Sequence, residues 1–155
     1  MKRATRVYVW AALASALCST GVMAQERYTE GPVWQCDSYE VMPDMWNSYL
    51  DWLRGNSKPQ YDEAKKQGLI MDWKVFIPSQ RMSDGTDIVI CALFPSYGKA
   101  LDYSKADEEK WDAISAARLK TADEKQQMEM SAPRLKMRRY TGTIYLREAA
   151  LKPLN

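Results

Sequence analysis

Histidine is absent from this chain of 155 residues. Its absence removes the commonest general base, every His-dependent catalytic triad and most zinc sites. The phosphate-cradling GxxxxGK(S/T), the dinucleotide-binding GxGxxG and the nucleophile-elbow GxSxG patterns are missing too. No fixed-period repeat and no low-complexity segment occurs. Beyond residue 24 no apolar run is long enough to span a bilayer. Carboxylate-only metal sites remain open, and Asp102, Asp107, Glu108 and Glu109 are the densest group. A charged helix start of that kind reads as a solvated face, so no metal site is expected.

What is present first sets a compartment. Lys2, Arg3 and Arg6 precede an apolar stretch, Val7 to Cys18, of signal-peptide length. Val22-Met23-Ala24 supplies compact residues for cleavage, so residues 1–24 read as a signal peptide cut after Ala24. An uncleaved anchor is the other reading. Cys18 makes a poor lipidation site because Leu17 stands where a small residue is expected. The expected location is periplasmic or secreted. The chain holds 22 basic and 20 acidic residues; removing the signal's three basic residues leaves 19 against 20, a net charge of −1. A near-neutral chain offers no electrostatic case for nucleic acid or for a membrane surface after cleavage.

Two cysteines follow the signal, Cys36 and Cys91. In an oxidising compartment they are expected to pair, closing a loop worth on the order of 4 kcal/mol. Two buried thiols packing as small hydrophobes is the alternative.

The chain is organised around Trp46 to Phe76. Asp44 is a candidate N-cap. Met45, Tyr49 and Trp52, flanked by Trp46, Leu50 and Leu53, form one apolar helical stripe. Gly55, Asn56, Ser57 and Pro59 predict a break, with a second helix over Gln60 to Gln67 and a stop at Gly68. Leu69, Met71, Trp73 and Val75 then alternate with Ile70, Asp72, Lys74 and Phe76, a strand pattern.

Around this unit, residues 25–32 read as a flexible lead-in, Val33 to Met42 as a first strand and Pro78 to Gly85 as a loop. DIVICALF, Asp87 to Phe94, is apolar on both faces, which suits a central strand. Ser96 caps a helical region that continues from Asp107 to Lys120 and from about Ala122 to Met130, where Pro133 interrupts it. TIYLREA, Thr143 to Ala149, reads as the last strand after a turn at Thr141-Gly142, and residues 151–155 as a tail. The order βαββαβ, with an enlarged second helical region, predicts an α+β domain over residues 33–150. Its commonest form is ferredoxin-like, a four-stranded antiparallel sheet with helices on one face. The first and third strands are expected as parallel neighbours, placing Cys36 beside Cys91.

A Trp- and Tyr-rich helix, then KPQYDEAKKQGLIMDWKVF, a short loop and TDIVICALF, resembles the dimeric α/β-barrel superfamily. Within it the chain is most similar to small secreted bacterial proteins without an assigned activity. The resemblance covers Val33 to about Leu101, with TGTIYLREA adding to it. It implies two sheets facing each other across a homodimer, and a helix–sheet cleft that holds a ligand. Some members are monooxygenases on polycyclic substrates, some degrade haem and others only bind. The missing histidine departs from the haem-degrading pattern, so no cofactor is expected.

The rings of Trp46, Tyr49, Trp52 and Trp73 either pack as core or wall a cleft for an apolar or aromatic small molecule. With the charged candidates they give a ligand-binding set of Trp46, Tyr49, Trp73, Asp72 and Arg147. An inward Arg147 needs a carboxylate partner and could then anchor an anionic ligand, with structural ion pairing the leading reading. Catalytic residues are unassigned; Tyr49, Asp72 and Arg147 are the ionisable candidates. The doubly apolar third strand calls for a cover on its outer face, and a second copy of the chain is the simplest one. The leading expectation is a small-molecule binding module. The alternatives are a cofactor-independent monooxygenase or isomerase on an aromatic substrate, and a structural protein acting through its dimer face.

Overall fold

The computed structural model describes residues 27–80 and 82–154, so the expected signal at residues 1–24 lies outside the described residues. The strands are β1 (Tyr28–Val41), β2 (Asp72–Phe76), β3 (Ile88–Phe94) and β4 (Arg138–Leu151). Helices α1 (Trp46–Trp52) and α2 (Lys58–Lys66) lie between β1 and β2. Helices α3 (Tyr97–Leu101), α4 (Lys105–Leu119), α5 (Glu124–Ser131) and α6 (Pro133–Met137) lie between β3 and β4. The fold is mixed α+β, with one four-stranded sheet in the order β2-β3-β1-β4. Every neighbouring pair is antiparallel.

β1 and β3 are therefore neighbours, but antiparallel rather than parallel as expected. The helical run returns β2 in the direction of β1, and the loop after β2 reverses the chain once more. Cys36 and Cys91 face each other directly in this ladder and form a disulfide. A disulfide fits an oxidising, exported location. Among the described residues no helix is long and apolar enough to cross a membrane.

Alternation divides the sheet. Val33, Gln35, Asp37, Tyr39 and Val41 share one face with Ile88, Ile90, Ala92 and Phe94. Two clusters pack on this face. One joins Val41, Ile88 and Ile90 to Tyr49 and Leu53; the other joins Ala92 to Ala64, Leu69, Ile70 and Ile114. Each fully buried side chain of this kind stabilises the fold by roughly 1.5–3 kcal/mol through area removed from water. The opposite face carries the disulfide, Trp34, Phe76, Ile144 and Leu146.

Several local expectations change. Asp44 takes a left-handed conformation (φ 63°), and Met45, the residue at the N-cap of α1, makes no side-chain cap. In place of the expected break, a π-helical turn, Leu53–Ser57, carries α1 into α2. Pro59 has no N–H to give the ladder, and the wider turn absorbs it while Asn56 Nδ2 donates to the Trp52 carbonyl. Gly68 does end α2, at φ 72°. Leu69 and Ile70 are core plugs ahead of β2 rather than strand residues.

The lead-in is largely strand. β1 begins at Tyr28, and Tyr28–Glu30 pairs with Ala149–Leu151, so the expected tail begins in pairing too. Gly31 and Pro32 oppose a single residue, Glu148, in a bulge; a Cβ on Gly31 would come within 3.0 Å of the Glu148 Cβ. A bulge is where a sheet tolerates proline. Thr141 is likewise the extra residue of a second bulge, so the expected turn at Thr141-Gly142 is continuous strand.

Candidate functional site

A cleft of about 500 Å³ opens between the inward face of β1 and β3 and the helices α2, α3 and α4. Its volume lies in the range of small-molecule sites. The floor is unusual for a core-facing strand. Val33 and Val41 are buried inward residues of β1, but of the three inward positions between them Gln35 and Asp37 are polar and line the cleft, while Tyr39 packs against the core. Asp37 is held by the Thr143 hydroxyl on β4, which donates to its carboxylate. No hydrogen bond of the Gln35 amide is found among the described residues.

The wall is aromatic. Tyr61 of α2 stacks on Trp73 at 5.2 Å between centroids and meets Trp111 of α4 edge-on at 6.1 Å. Tyr61, Trp111 and Phe94 line the cleft. Burial pushes the Tyr61 phenol up to about 12, with the neighbouring Tyr39 and Asp37 adding to the effect. The phenol therefore stays neutral at physiological pH, a hydrogen-bonding group rather than a base.

The mouth is acidic. Asp102, Asp107 and Glu108 line it, with Lys99 as the cation among the lining residues. Lys99 pairs with Asp107 and holds that carboxyl below its ordinary range. Tyr103 donates to Glu108 at 2.7 Å, which raises the Tyr103 pKa. Two serines shape this rim: Ser96 caps α3 and Ser104 caps α4, each accepting from a backbone N–H three residues on. Among the described residues no three His, Cys, Asp or Glu side chains are grouped to hold a metal ion.

The five residues singled out in the sequence do not converge. Trp46 is partly exposed at the start of α1, beside Met42 and Pro43. Tyr49 is fully buried in the core and accepts from Arg138 at 2.6 Å. That guanidinium also lies 3.6 Å from the Tyr39 ring centroid, a cation–π contact. Burial raises the Tyr49 phenol to about 12 although Arg138 acts in the other direction. Trp73 supports Tyr61 from behind and donates to Asp62 at 2.9 Å. Asp72 pairs with Lys65 at 2.7 Å at the sheet edge. Arg147 turns inward and its carboxylate partner is Glu30; the guanidinium lies over the Tyr97 ring at 4.5 Å.

Sequence reasoning passed over Gln35, Asp37, Tyr61 and Trp111 as site residues. One signal was available: two polar side chains in successive inward registers of a strand, between Val33 and Tyr39. The geometry defines a class, a mixed α+β protein with an open, aromatic-walled and acidic cleft between sheet and helices. No protein-family model matches the chain, and no curated protein matches it in sequence.

Proposed function

We propose that this is an exported small-molecule binding module whose helix–sheet cleft takes an aromatic ligand bearing a cationic group. The observation that carries the reading is the pair Gln35 and Asp37, set in the middle of a core-facing strand and opened onto the cleft. A strand built only to fold would place apolar residues there. Tyr61, Trp111 and Phe94 offer ring faces, and Asp37, Asp102, Asp107 and Glu108 outnumber Lys99, so a positive charge is favoured over a negative one.

Binding is preferred to catalysis for a physical reason. Tyr49, Asp72 and Arg147, the ionisable groups an enzyme reading would use, are engaged by Arg138, Lys65 and Glu30 outside the cleft. The fold reading is ferredoxin-like. It is supported by two helical connections in the order βαββαβ and by a first strand lying between the third and fourth. The pairing reading is a homodimer through the outer sheet face, supported by the exposure of Phe76, Ile144 and Leu146 there.

The test is titration with 2-phenylethylamine and with neutral 2-phenylethanol, read by tryptophan fluorescence and calorimetry. The amine is expected to bind the tighter of the two, and Asp37→Asn to weaken it about tenfold, the scale of one charge-assisted hydrogen bond. Equal binding of both probes, or an amine affinity unchanged in Asp37→Asn, would refute the reading.

A further inference from the structure

A second cavity, of about 370 Å³, lies among α2, α4, α5 and α6 and shares only Gln60 with the cleft. Two arginines line it, Arg118 of α4 and Arg134 of α6. Arg118 donates from Nη1 to Asn56 Oδ1 at 2.8 Å, while its Nε is buried with no hydrogen-bond partner. Neither guanidinium makes an ion pair with a carboxylate among the described residues. Burial lowers the Arg118 pKa, and the positive charge of Arg134 lowers it further. Two cations brought to one recess, neither paired to its one lining carboxylate, Glu124, and one of them holding a dry unpaired N–H, are costly as they stand.

An oxyanion would relieve the cost of the unpaired charge. It would neutralise the repulsion between the two guanidiniums, which match carboxylate or phosphate geometry, and so lower the cost of keeping Arg118 charged beside Arg134. Leu119, Met128 and Leu135 add apolar wall to the same recess, and Met128 and Leu135 are otherwise largely exposed. Glu124 also lines the cavity and disfavours a ligand of higher negative charge. We propose that this recess is a binding site for an amphiphile with a single oxyanion head, a carboxylate or a phosphate monoester on an apolar body. It is separate from the cleft and does not depend on what the cleft binds.

The test uses the whole protein and three probes at fixed ionic strength: octanoate, octyl phosphate and inorganic phosphate. One or both amphiphiles are expected to saturate the protein at about 1 mM or below. The tighter one identifies the head group, and inorganic phosphate is expected to be weaker than it. Arg134→Gln should weaken the bound amphiphile about tenfold or more, and Arg134→Lys by less, because lysine keeps the charge without the fork. The Arg134 side chain makes no hydrogen bond or ion pair among the described residues, so unfolding temperature should not move and the variant reads binding alone. Arg118→Gln should act in the same direction. Asp37→Asn should leave this affinity unchanged, which separates the recess from the cleft. Failure of both amphiphiles to saturate, affinity unaltered in Arg134→Gln, or inorganic phosphate binding as tightly as either amphiphile would overturn the proposal.

Discussion

Cys36 and Cys91 stand directly opposite each other in the antiparallel β1–β3 ladder, with Cα atoms 4.0 Å apart, and are bonded across a sequence separation of 55. The bridge ties the two central strands on the face away from the helices. Closing a loop of that length removes conformational freedom from the unfolded chain, which predicts a contribution of about 4 kcal/mol. Replacing both cysteines by serine should lower the free energy of unfolding in urea by about that amount. Reductant should do the same to the native protein and nothing to the double variant. Coincident unfolding curves with and without reductant would contradict it.

Alkali should unfold the protein through its tyrosines. Burial raises both Tyr49 and Tyr61 to about 12. In the unfolded chain a tyrosine ionises near about 10. Between those values the folded state holds protons that the unfolded state has released, so stability falls as pH rises. It is fully present below the unfolded pKa and is lost as pH climbs through the folded one. The slope should reach at most about 1.4 kcal/mol per pH unit for each tyrosine. Tyr49→Phe removes one titrating group and should flatten the decline, seen by urea unfolding across that window. A slope identical to the native protein's would show that Tyr49 is not involved.

The elements whose signals are local were legible in the sequence. A run apolar on both faces found β3, the Ser96 cap found α3, and Gly68 marked the end of α2. Errors arose where tertiary contacts outweigh a local breaker. Pro32 signals a loop, but the bulge opposite Glu148 lets β1 run through it. Pro59 signals a break, but a π-helical turn takes up the missing donor. Leu69 and Ile70 fit a strand pattern, yet the core claims both before β2 begins. Long-range partnerships, those at the cleft included, were harder still. Glu30 is 117 positions from Arg147, and Thr143 is 106 from Asp37, so neither partnership has a sequence spacing to betray it. The large rings around Trp46 drew notice by size. Gln35 and Asp37 matter by the direction in which they face, which only the register reveals.

The outer face predicts association. Phe76, Ile144 and Leu146 are each about half exposed there (49%, 54% and 52%) around a buried disulfide. Trp34 spans the middle, with the Lys74 ammonium 5.1 Å from its ring centroid and its N–H given to Glu148 at 2.9 Å. Leu146→Arg should convert a dimer to monomer in sedimentation equilibrium. Because the position is exposed in the single chain, the monomer's own stability should change by no more than about 0.5 kcal/mol. A wild-type protein that sediments as a monomer at every concentration would remove the pairing.

The cleft floor makes the sharpest contrast between folding and function. Gln35 lies half-buried on the inward face of β1, paired across the ladders with Ala92 on one side and Tyr145 on the other. If folding alone selected this position, an apolar side chain would serve better. Gln35→Leu should therefore raise the unfolding free energy by about 0.5–2 kcal/mol, the usual gain when a polar residue kept for function is replaced. The same substitution takes a donor and an acceptor from the floor, and should weaken whatever amine the cleft holds. Stability measured in urea and affinity measured by calorimetry must then move in opposite directions. A variant that loses stability would show Gln35 to be a structural residue, and the polar floor would lose its functional meaning.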